Sequence, residues 1–137
     1  MRYLLDTNIL SELLKKRPSP HLIDRLKSRQ PDSLCTSCIC VMELRFGAVL
    51  RGDTDVFWKK ITEEVLSKVT ILPLESPEAV TAGNLLASFQ KAAQMIGMED
   101  ILIASTALRH GCVMVTGNTR HFSRVKALRV ENWLESA

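Results

Sequence analysis

The run MRYLLDTNILSEL, residues 1–13, decides the fold. Tyr3, Leu4 and Leu5 are three apolar side chains in a row with no polar alternation, as expected of a strand buried on both faces. Asp6 stops that strand. From Asn8 to Lys15 the apolar residues Ile9, Leu10, Leu13 and Leu14 then recur at helical spacing. A buried strand that passes directly into a helix is the opening of a parallel α/β unit.

The same alternation continues along the chain. Ser19 to Arg29 reads as a helix begun around Pro20, and Ser33 to Cys35 as a short strand. Apolar positions from Ser37 onward support a helix ending near Gly52. Asp53 opens another that reaches Leu66, and Val69 to Leu72 is strand-like. Ser76-Pro77-Glu78, with proline at the first helical position, starts a helix running to about Ile96, where Gly97 ends it. Asp100 begins the next helix, which lasts to Gly111. Cys112 to Val115 is a strand, Thr116-Gly117-Asn118 a loop, and Leu128 to Val130 a final strand. Five short strands separated by helices predict one domain over residues 1–137, a three-layer α/β/α sandwich on a mostly parallel five-stranded sheet. The helical length between Asp53 and Ile96 predicts a protruding helical hairpin.

Bulk composition narrows the class. The 137 residues are 46% hydrophobic and 24% charged, within the range of a globular domain. No apolar run approaches the roughly 18 residues of a membrane span. The apolar stretch before Asp6 is far shorter than the about 7–15 residues of a secretory signal, so a cytoplasmic location is expected. A net charge of +3 permits a nucleic-acid partner without requiring one. The cluster CTSCIC (35–40) contains a Cys-x-x-Cys, but no second Cys or His pair accompanies it. Buried reduced thiols are therefore expected, rather than zinc ligands or disulfides.

Ligands of open parallel sheets gather beyond the carboxyl ends of strands. Asp6-Thr7-Asn8 and Thr116-Gly117-Asn118 both fall there. Three carboxylates can converge on such a site: Asp6, Glu43 in the apolar stretch VMELRFGAVL, and Asp100 at the entry of ILIASTALRH. Each has an ordinary reading too. Asp6 and Asp100 can cap helices, and Glu43 can pair with a surface arginine. Three carboxylates brought together without His or Cys ligands repel one another unless a cation joins them. An all-oxygen site of that kind suits Mg2+ or Mn2+, which can activate water against a phosphodiester. No G-x-S-x-G, Cys–His pairing or glycine-rich phosphate loop offers a competing chemistry.

With Asp6, Glu43, Asp100 and Asn118 in this order, the chain resembles the PIN-domain family, and within it the VapC and FitB group of toxin–antitoxin ribonucleases. The matching segments are LLDTNILSEL (4–13), CICVMELRFGAVLRG (38–52), MEDILIASTALRHG (98–111) and VMVTGNTRHFSRVKALRVENW (113–133), which together span nearly the whole chain. The resemblance implies a metal-dependent endoribonuclease acting on tRNA or rRNA to inhibit translation. It also implies a cognate antitoxin, a homodimer, and contact with operator DNA only through the antitoxin. Carried over by position, Asp6, Glu43 and Asp100 are the metal ligands. Asn118 takes the fourth catalytic position, where many relatives have aspartate, so one firm metal is easier to support than two. Thr116 and Asn8 support the site, and Arg120 and Arg45 are candidate substrate contacts. The early helices (Ile9, Leu10, Leu13, Leu14) and the 76–96 helix are candidate dimer surfaces. Two other readings are a non-catalytic dimeric subunit of an antitoxin-bound DNA-binding repressor complex, and a PIN-like scaffold that has lost activity.

Overall fold

A computed structural model describes residues 1–136. Five strands form one parallel sheet: β1 (Arg2–Leu5), β2 (Leu34–Ser37), β3 (Thr70–Leu72), β4 (Cys112–Val115) and β5 (Val130–Glu131). Their spatial order is β3-β2-β1-β4-β5. The chain therefore builds outward from β1 through β2 to β3, then crosses back to place β4 and β5 on the other side. Leu4 pairs with Cys35 on one side and with Met114 on the other. Right-handed crossovers put the helices of the two halves on opposite faces, which completes the three layers. Every residue of β2 and β4 is buried, while the edge strands β3 and β5 are short and partly exposed. That is the burial expected of a sheet covered on both faces.

The connecting helices are α1 (Thr7–Glu12), α2 (Pro20–Lys27), α3 (Cys38–Arg51), α4 (Thr54–Glu64), α5 (Ser76–Lys91), α6 (Met98–Arg109) and α7 (Thr119–Phe122). Their boundaries differ from the periodicity in ways the local chemistry explains. The first helix stops at Glu12, because that carboxylate accepts from the Ser19 backbone N–H (3.0 Å) and pins the following turn. The strand expected at 33–35 runs instead from Leu34 to Ser37. Thr36 is fully buried with its hydroxyl donating to the Leu5 carbonyl (2.7 Å), so a polar residue extends a core strand. The helix expected to reach Ile96 ends at Lys91, and Ala93 adopts a left-handed φ of 54° that no helix continues.

The protruding hairpin expected over 53–96 is not formed. Strand β3 divides that region, and its two helices pack elsewhere, α4 on α3 and α5 on α6. The tight link between α3 and α4 is Gly52, which closes α3 at a φ of 95°. Ile9 and Leu10 are fully buried, so they belong to the core and not to a docking face. Among the described residues, no helix is long and apolar enough to cross a membrane. All four cysteines are free thiols, with Cys35, Cys40 and Cys112 buried.

The tail is tied to the first strand. Trp133 is fully buried, its ring centroid 5.1 Å from that of Tyr3, and its indole N–H donates to Glu131 (3.0 Å). Arg29 lies over both rings, 4.9 Å from Tyr3 and 5.2 Å from Trp133. Trp133→Ala is expected to lower the unfolding free energy by about 3–5 kcal/mol, checked by urea denaturation.

Candidate active site

Strand β1 is the point where the direction of sheet building reverses, and its carboxyl end opens between those of β2 and β4. Asp6 follows β1 directly, and its backbone N–H donates to the Val115 carbonyl at the end of β4 (2.9 Å). Its carboxylate is 6% exposed and doubly held. One oxygen accepts from the Thr7 backbone N–H (2.8 Å), and the other from the Thr116 hydroxyl (2.7 Å). The Thr7 hydroxyl in turn donates to Glu43 Oε1 (2.7 Å). One residue thus places two acids, by its backbone and by its side chain.

Glu43 stands in the second turn of α3, three residues after Cys40 and on the same face. The Cys40 Sγ lies 3.9 Å from the Asp6 carboxylate. Potential ligand atoms of Asp6, Cys40 and Glu43 all fall within 4.8 Å of one another. Across the cleft, Asp100 sits inside the first turn of α6, whose N-cap is Gly97. It is therefore not the capping residue. His121 Nδ1 is 3.1 Å from Asp100 Oδ2 and 2.9 Å from the Asn118 side-chain nitrogen. A single ring nitrogen cannot serve both at once. Protonated, it donates to Asp100; bare, it accepts from the Asn118 amide.

Thr116 links the two halves. Its hydroxyl donates to Asp6 and accepts from the Asn118 backbone N–H (2.9 Å). Asn8 does not reach Asp6; its side-chain oxygen accepts from the Gly117 N–H (3.2 Å) and fastens the β4 loop to α1. A Cβ on Gly117 would stand 3.1 Å from Leu134 and 3.5 Å from Asn8, so this close approach favours glycine. The resulting open cleft, about 780 Å³, is lined by Asp6, Thr7, Asn8, Glu43, Asp100 and Asn118, with Lys15 at its margin. Arg45 lies outside it, stacked 5.1 Å over Trp58, and Arg120 is exposed on α7 without lining the cleft.

Burial pushes the Asp6 carboxyl above the usual carboxylate range. The bonds from Thr116 and Thr7 pull it back, and the charges of Asp100 and Glu43 raise it further. Burial, then the Asp6 charge, raises the Cys40 thiol as well, which keeps it a donor to Asp6 rather than a competing thiolate. What remains is a hard set of carboxylate oxygens in mutual repulsion, a donor set that fits a small divalent cation. Strand-end and helix-start positions had pointed to Asp6, Glu43 and Asp100, and the resemblance to Asn118, Asn8 and Thr116; five of these line the cleft, and Thr116 stands behind it, bonded to Asp6. Thr7 and Lys15 had drawn no reading as cleft residues. Cys40 had a signal in its i, i+3 spacing from Glu43, which puts both on one helix face.

A polar cleft at the strand ends of a doubly wound parallel sheet defines the class of domain. The family model described as "PIN domain" matches residues 3–128, and the chain belongs to that family. It is 37% identical to Ribonuclease VapC2 of Haemophilus influenzae, over 98% of this chain and 99% of that one. It is 30% identical to the tRNA(fMet)-specific endonuclease VapC of Shigella flexneri, over 97% and 98% of the two chains. Among solved structures it resembles VapBC2 from Rickettsia felis bound to a DNA fragment from their promoter. There the TM-score is 0.88 and the identity 27%, covering 97% of this chain and 99% of that one.

Thr116→Val keeps the shape of the side chain but removes the donor to a buried carboxylate. A loss of about 1–3 kcal/mol of stability is expected, measured by denaturant unfolding of the metal-free protein.

Proposed function

We propose that this chain is a metal-dependent endoribonuclease, the toxin of a toxin–antitoxin pair, with Asp6, Glu43 and Asp100 holding one Mg2+ or Mn2+ ion. The observation that carries this reading is the convergence of three carboxylates on one cleft, two of them oriented by Thr7 and one of these, Asp6, raised by burial and then by the charges of the other two. The names borne by its relatives support ribonuclease activity, and the name of the Shigella relative, a tRNA(fMet)-specific endonuclease, supports tRNA as the substrate. When bound, a hard divalent ion supplies Lewis-acid polarisation of the phosphodiester and a water of lowered pKa.

The chain's own residues supply placement. Asp6 is fixed at both oxygens, so it presents one orientation to the cleft. Glu43 is aimed by the Thr7 hydroxyl, and Asp100 faces the two from the start of α6. Asn118 is neutral and adds no charge, which supports one firm ion rather than two. Arg120 and Arg45 stand outside the cleft, where a long RNA can still meet them. Single-stranded or loop RNA is favoured, because the deep major groove of A-form duplex hides its bases. An antitoxin is the proposed partner, and operator DNA is reached only through it, a reading supported by the DNA-bound Rickettsia complex.

Cleavage of total RNA in Mg2+ or Mn2+ tests the assignment. Asp6→Asn and Asp100→Asn should each lose about a thousandfold in rate, the equivalent of several kcal/mol of transition-state stabilisation. Equal activity in wild type and variants would sink it. Without metal, Asp6→Asn should melt higher than wild type, since it removes a buried charge repelled by two others. Added Mg2+ should raise the melting temperature of the wild type alone.

The proposed homodimer has a face available on α3. Met42, Phe46, Val49 and Leu50 recur at i, i+4, i+7 and i+8 and are 50–70% exposed. That stripe points away from the buried Leu44 and Ala48. Light scattering should give twice the 15.4 kDa chain mass for the wild type and a single chain for Phe46→Glu.

A further inference from the structure

A second groove, about 420 Å³, runs between α1, α3 and α4 and opens off the acidic cleft. The two share Thr7, Ser11, Lys15 and Glu43 as common walls, so whatever lies at the acids can continue into it. Beyond the shared edge its walls carry Arg51 and Lys60, and with Lys15 that makes three cations beside an acidic centre. Phe57 contributes an aromatic ring to the same wall, with the Arg51 guanidinium 4.0 Å from its centroid.

We infer that this groove is the track for the RNA strand flanking the scissile phosphodiester. Lys15, Arg51 and Lys60 meet its phosphates, and Phe57 offers a stacking surface. This inference rests on the nuclease reading above. A cationic groove with an aromatic platform is the combination that single-stranded nucleic acid requires. The present partners of two of these cations do not compete strongly. Lys15 pairs with Glu12 (2.8 Å) and Arg51 with Asp53 (2.9 Å), both with largely exposed cations, and such surface pairs contribute about 0–1 kcal/mol. Lys60 spends one of its three N–H bonds on the Leu14 carbonyl (3.1 Å), leaving two.

Gly47 carries the inference further. It lies inside α3 and lines the groove, and a Cβ there would meet nothing within 4 Å. Neither packing nor backbone conformation calls for glycine, yet in a helix interior it costs about 1 kcal/mol relative to alanine. What its missing side chain preserves is the width of the groove. Phe46 and Leu50 border this face but line neither the groove nor the cleft, so the track and a dimer face can adjoin on α3.

The test compares Lys15→Gln/Arg51→Gln and Gly47→Leu with wild type on the RNA fraction that wild type cleaves, at several salt concentrations. Arg109→Gln/Lys126→Gln, which lines neither cleft nor groove, controls for lost charge. The first variant should raise KM about tenfold and flatten the slope of log(kcat/KM) against log[salt] by about 1.4, roughly 0.7 per phosphate contact. Gly47→Leu should raise KM similarly while melting no lower than wild type. Unchanged KM and slope in these variants would overturn the track and leave the nuclease reading intact. No RNA cleavage by the wild type would remove both. Loss of binding to a protein partner with unaltered RNA kinetics would assign the groove to that partner instead.

Discussion

A carboxylate buried at the end of a central strand must find donors within the fold, and Asp6 finds them on two different segments. One is the N–H of the next residue, at the start of α1. The other is a hydroxyl 110 positions later in sequence, at the end of β4. Satisfying that one side chain therefore requires the reversal of sheet direction to be complete, with β4 docked against β1. The same Thr116 hydroxyl accepts from Asn118, so the loop that forms the far wall is set by the same group. Cleft geometry and core topology are in this sense one constraint.

The cost of this arrangement is electrostatic. Burial raises the free energy of the Asp6 charge, and Glu43 and Asp100 add to it. A protein selected for stability alone would place a neutral residue there. Domains that tolerate such groups do so where function demands it, and offset the penalty elsewhere. Here the offset is visible in the fully buried strands beneath the site and in the aromatic stack that holds the tail.

Strands β1 and β4 were legible because their side chains are apolar without interruption. The last two residues of β2 were not, since Thr36 and Ser37 are polar yet wholly buried, and only tertiary hydrogen bonds show why. Asp6, Glu43 and Asp100 were legible as carboxylates at strand ends and helix starts. Thr7 was not, because its role lies in donating to an acid 36 residues away. Nor was the place of His121, whose Nδ1 lies within hydrogen-bond distance of both Asp100 and Asn118 on the exposed side. The helical region after Asp53 was misjudged because length and periodicity do not reveal which helix a given face will meet. That depended on β3 joining the sheet at its edge and sending α4 and α5 to different neighbours.

The tail of the chain has a bearing on how the molecule comes into being. Trp133 seals the core against Tyr3, the second residue of the first strand, and Leu134 closes the cleft beside Gly117. During vectorial synthesis the acids at 6 and 43 leave the ribosome well before Asp100 and before Thr116, whose hydroxyl holds the second oxygen of Asp6. Pairings that span so much of the chain form late and slowly. The nascent polypeptide therefore carries these carboxylates without an assembled site until Thr116 and the segment through Leu134 have emerged and docked.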